Sequence, residues 1–161
     1  MFRIIDNLGG WDMFKISSHI CSELENSKVI LKKLELTERE KILDLVLKKY
    51  IDSSIEGEWL WEKFIQYEAL NDNMAWGYIK HFVSNNECVM FFNQEEEKEM
   101  FLVQSGEDLD YILSETYGFE FYVTDKQCTY LFCFNHHDIL YGCGTAESWV
   151  NSIKRRSIES K

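Results

Sequence analysis

The stretch that decides the fold is Phe119–Gly144, FEFYVTDKQCTYLFCFNHHDILYGCG. Phe119, Phe121 and Val123 alternate with Glu120, Tyr122 and Thr124, the period-two pattern of a half-buried strand. Thr129 to Asn135 repeats it, with Tyr130, Phe132 and Phe134 opposite Leu131 and Cys133. Asp125-Lys126-Gln127 joins these two as a hairpin, and Asn135-His136-His137-Asp138 turns into a third strand at Ile139 to Gly142. Turns this short connect antiparallel neighbours, because a parallel crossover needs a dozen or more residues.

Working outward, Gly142 and Gly144 precede a helix that begins at Thr145. It turns Trp149, Val150 and Ile153 inward and carries Lys154, Arg155 and Arg156 near its C-terminus, where cations suit the helix dipole. On the N-terminal side, Ser105 caps a helix with Asp108 at N3, Leu109, Ile112 and Leu113 inward, and Gly118 as its stop. Glu87 to Phe92 and Met100 to Gln104 read as strands separated by the acidic run Glu95–Glu99. The first half has helical spacing instead. Trp11 to Glu25 reads as a helix with Asp12 as N-cap, and Lys28 to Leu34 continues or restarts it. Thr37-Glu38-Arg39-Glu40 reads as a capping box opening a second helix, and residues 73–84 as a short third. The expectation is one α+β domain over residues 1–161, helical over 1–85 and sheet-containing over 86–161. Its second half follows the order β-β-α-β-β-β-α, a mostly antiparallel sheet closed by a C-terminal helix.

Composition limits the function. Eleven Phe, eight Tyr and five Trp supply a substantial core, which argues against disorder. The formal net charge of -11 argues against a general nucleic-acid or anionic-lipid binder, either of which needs a basic face. The charge is concentrated: residues 51–125 hold 17 acids and 3 bases, whereas the flanking segments are nearly neutral. Such a field steers a partner of opposite sign. Met1 to Gly10 has one base and no apolar run, so no secretory leader is expected, and no stretch of about 18 apolar residues suggests a membrane span. The five cysteines, at 21, 88, 128, 133 and 143, are odd in number and irregular in spacing, as for reduced thiols in the cytoplasm. Proline is absent and alanine scarce, a bias of low-GC genomes that hints at a bacterial or phage source.

Several constellations could carry chemistry. His136, His137 and Asp138, with Cys143 nearby, could hold a metal, but no C-x2-C or H-x3-H pair is present and a polar turn explains the same residues. A Cys–His nucleophile from Cys133 or Cys143 has no local activating signal. Gly142-Cys143-Gly144 could cradle an anion, though a tight strand-to-helix turn accounts for it. Glu56 with Glu58, or Glu107 with Asp108 and Asp110, could form a carboxylate site, but the latter three also favour a helix N-terminus. No cofactor motif is present, and none is expected. Trp59 and Trp61 stand among acids and cannot face the same way on a helix; one as a core anchor with the other as an exposed contact is one reading, and core packing of both accounts for the same residues.

The run Ile112–Val150, ILSETYGFEFYVTDKQCTYLFCFNHHDILYGCGTAESWV, resembles a segment of small bacterial proteins similar in character to cytosolic immunity proteins of polymorphic-toxin and contact-dependent inhibition systems. The resemblance implies a small acidic antidote that binds one toxin domain, often a nuclease with a basic cleft. It carries no catalytic motif and transfers no binding residue. The expectation is a non-catalytic cytoplasmic protein that neutralises a basic protein partner, a toxin domain. Its contact residues are expected to be Glu95, Glu96, Glu97 and Glu99, then Glu107, Asp108 and Asp110, with Glu56, Glu58 and Trp59 as a second patch. The alternatives are a phage inhibitor of a host defence enzyme, or a small metal-dependent hydrolase built on His136, His137, Asp138 and Cys143.

Overall fold

The computed structural model describes residues 14–160, so the Asp12 cap lies outside the described residues. The chain is an α+β protein. In order it forms α1 (Ile16–Glu23), β1 (Lys32–Lys33), α2 (Leu36–Tyr50), a 3-10 turn at Leu60–Lys63 and β2 (Glu68–Asn71). A second 3-10 turn at Ala75–Tyr78 runs into α3 (Ile79–Val83), followed by β3 (Cys88–Phe91), β4 (Phe101–Val103) and α4 (Gly106–Glu115). The chain then forms β5 (Phe121–Thr124), β6 (Tyr130–Phe134), β7 (Ile139–Gly144) and α5 (Thr145–Glu159). The seven strands make one sheet in the order β1-β4-β3-β5-β6-β7-β2, and every neighbouring pair is antiparallel.

The order β-β-α-β-β-β-α forms as the sequence pattern implies. The division into a helical first half and a sheet-bearing second half does not hold, because β1 and β2 take the two edges of the sheet. Lys28 to Leu34 is not helical. Lys32 and Lys33 pair with Leu102 and Phe101, and the Leu34 N–H donates to the Met100 carbonyl at 2.9 Å. A seven-residue helix is marginal in water, whereas β4 offers an open edge. The helix expected from Thr37 starts at Leu36, with the cap made by Glu38, whose carboxylate accepts from the Glu35 N–H at 3.2 Å, rather than by Thr37 and Glu40. Ser105 caps α4 as expected, accepting from the Asp108 N–H at 3.2 Å.

Two apolar cores flank the sheet. On one face, Ile16 and Ile20 of α1, Ile79 of α3, Leu109 and Ile112 of α4 and Val150 of α5 pack on Met90, Phe101, Phe121, Phe132 and Leu140. On the other, Ile42, Val46 and Tyr50 of α2, with Phe64, cover Phe91, Leu102, Tyr122, Leu131, Cys133 and Tyr141. Strands β5 and β6 are therefore buried on both faces rather than half-buried, and their tyrosine, leucine and cysteine positions form a second core. Gly144 makes the turn into α5 with φ +61, and a Cβ there would stand 2.5 Å from the Thr129 carbonyl oxygen. The glycine pair thus serves close packing and a left-handed turn. No helix among the described residues is long and apolar enough to cross a membrane.

Candidate partner-binding site

Across the α2 face, register lines up Phe91, Tyr122, Cys133, Tyr141 and Ala69 on five adjacent strands. The same pairing puts Glu120, two residues before Tyr122, beside the turn that begins at Asn135. Glu120 is only 4% exposed. One carboxylate oxygen accepts from the His136 N–H at 2.8 Å and lies 2.7 Å from His136 Nδ1. The other accepts from the Trp61 indole N–H at 3.4 Å. A buried carboxylate needs such donors, and here they fix both the histidine turn and the tryptophan segment above it.

Trp61 is the anchor. It stacks on Tyr141, with ring centroids 5.8 Å apart and 22° between planes, and meets His137 edge-on at 5.9 Å. Trp59 is the outer ring, half-buried and 5.6 Å from His136. Tyr67 extends the aromatic row, 5.2 Å from Tyr141 and 47% exposed. The rim is acidic. Burial raises the Glu96 pKa, and the neighbouring Glu120 and Glu58 carboxylates raise it further, with His136 opposing them in part. Glu58 and Glu96, 38 positions apart, thus share one patch with Trp59. Among the described residues, no Lys or Arg forms an ion pair with Glu58, Glu96 or Glu120.

The other expected contact residues are distributed differently. Asn93 nucleates the turn of the Glu95–Glu99 run, its side-chain oxygen accepting from the Glu95 N–H and its carbonyl from those of Glu96 and Glu97. Glu95 is exposed. Glu97 turns toward α1 and accepts from the Ser17 N–H at 2.8 Å and the Glu99 N–H at 3.1 Å. Burial pushes its pKa up, but these bonds and one from Lys98 outweigh it and hold the carboxyl below its ordinary value. Glu99 faces Arg39 of α2 at 3.7 Å. Glu107, Asp108 and Asp110 are on α4, over the opposite face of the sheet, and Asp110 pairs with Lys80 at 3.0 Å. They do not join the patch. Glu56 is exposed in the segment that leads to Trp59.

The metal alternative meets a different geometry. Among the described residues, no three His, Cys, Asp or Glu side chains are grouped to hold an ion. The His136 and His137 rings do converge, 4.0 Å between centroids, because Asp138 has φ +58 and the turn is not extended. Cys143 lies in the core under α2 instead, and burial lifts its thiol pKa to about 12. Burial also pushes the Cys133 thiol well up, so neither is an activated nucleophile. The strand pattern reads Glu120 as a solvent-facing residue, and only its register against the histidine turn reveals it as the centre of the site.

Residues 15–154 match a family of unknown function (DUF6756). The chain belongs to that family. No curated protein and no solved structure matches it. The DUF6756 match spans α1 to the middle of α5, and so includes Glu58, Trp59, Trp61, Glu96, Glu120 and His136.

Proposed function

We propose that this DUF6756 protein is a non-catalytic binding protein that neutralises a basic protein partner, in the manner of an immunity protein against a toxin domain. One observation carries the reading. Glu58, Glu96 and Glu120 gather around His136 beside Trp59 and Trp61, and among the described residues none of the three forms an ion pair with a lysine or arginine. An aromatic anchor ringed by charge is the composition of an interface hot spot, and unpaired carboxylates attract lysine and arginine. The raised thiol pKa values fit a protein without a cysteine nucleophile, and five free cysteines fit a reducing cytoplasm.

The test is whether the genes flanking this one encode a toxin domain that the protein binds, with the affinity measured at two salt concentrations. Glu58→Lys with Glu96→Lys should weaken binding by about 100-fold at low salt and flatten its salt dependence, since a close interfacial charge pair can be worth roughly 1.5 kcal/mol or more. Trp59→Ala should cost about tenfold or more without changing the salt slope. Unchanged affinity in both variants, with the fold retained, removes this patch as the contact surface.

A further inference from the structure

On the face of the sheet opposite the acidic patch, α5 leaves an open groove of about 330 Å³ beside the Ala75–Tyr78 turn and α3. The spacing of α5 explains it. Ala146 and Val150 dock on the sheet, whereas Trp149, Ile153 and Arg156 lie one step round the helix and line the groove with Tyr78 and His81. Its aromatic walls are held rigidly. Trp149 meets Phe82 and Phe132 edge-on at 5.4 and 5.6 Å, and the Tyr78 hydroxyl donates to Asp72 at 2.9 Å.

The charge in the groove is unusual for this chain. Nearby Lys80 and Lys154 each face a carboxylate, Asp110 and Glu68. Among the described residues, the Arg156 guanidinium has no carboxylate partner, and the hydrogen bond it makes is to the Ser152 hydroxyl, at 3.4 Å. A guanidinium beside a half-buried indole offers a bidentate anion site next to a flat apolar surface. The volume is at the lower end for ligand sites, which suits one or two fused rings.

We propose that this groove binds a small aromatic carboxylate, its ring against Trp149 and Ile153 and its carboxylate on Arg156. The site is separate from the acidic patch and does not depend on the partner proposed for it. Nitrogen-15 NMR on the whole chain tests it, following the Trp149 indole N–H, identified with Trp149→Phe, during titration with indole-3-carboxylate and with the neutral indole-3-carboxamide. The acid should shift the Trp149 signal with at least about tenfold higher affinity than the amide, and Arg156→Gln, a change at an exposed position, should reduce the acid to the level of the amide. No shift at Trp149, equal binding of acid and amide, or an unchanged affinity in Arg156→Gln overturns the proposal.

Discussion

Glu96 and Glu97 are adjacent in sequence and opposite in electrostatics. Glu96 loses solvent and faces other carboxylates, so folding raises its pKa, whereas Glu97 is held by backbone and side-chain donors that outweigh its burial and lower its own. Linkage turns this into two different pH windows. A carboxyl raised on folding opposes stability while it is ionised, and that opposition fades as the pH falls through its raised value toward 4.5. A carboxyl lowered on folding stabilises fully above 4.5 and loses its contribution as the pH drops below 4.5 through the lowered value. Glu96→Gln should therefore melt slightly higher than the parent at pH 7, with the gap closing first on acidification. Glu97→Gln should melt lower at pH 7, with its gap closing only in more acid solution. Thermal melts across pH 3–8 check both, and like-signed shifts for the two variants would contradict the opposed environments. Because one residue of the run works for the fold and its neighbour for the surface, counting acids in Glu95–Glu99 cannot separate the two roles.

At the scale of elements, α2 shows how a local pattern is displaced by its context. Thr37 and Glu40 satisfy the capping-box spacing as well as Glu35 and Glu38 do, but the Leu34 bond to Met100 fixes where the strand ends and the helix begins. Glu38→Ala should accordingly cost about 0.5–1 kcal/mol in urea unfolding, and Thr37→Ala less than about 0.5 kcal/mol. The reverse ranking would place the cap at Thr37. The same contrast explains what was legible. Strands β3 to β7 and helices α4 and α5 carry their own periodicity and turn residues, so the sequence alone locates them. Strands β1 and β2 do not, for Lys32-Lys33 has no apolar signal and Glu68–Asn71 is a strand only because β7 offers it a free edge. The site follows the same rule. Glu58, Trp59 and Glu96 stand out by composition, but Glu120 is recognised only when β5 and the turn after β6 are set in register.

Across the whole molecule, two cores on one sheet dictate the chemistry of its thiols. Cys88 and Cys143 are pushed up to about 12 by burial, Cys128 and Cys133 are raised for the same reason first, and Cys21 alone is exposed. A thiol reagent should therefore modify one cysteine quickly in the folded protein and the other four only after denaturation. Fast reaction of two or more would mean that the sheet opens readily or that a second thiol is activated.

The two lysines of β1 have a further consequence. Behind them lies β4, Phe101-Leu102-Val103, which is fully buried, and inward of it run strands as apolar as Tyr130–Phe134. An unguarded edge of that composition would recruit the same edge of another copy and propagate as cross-β stacking. Strand β1 closes it with only two residues, both exposed and both charged. Like charges brought face to face repel, so this edge ends the sheet and keeps a sequence rich in aggregation-prone strands dispersed.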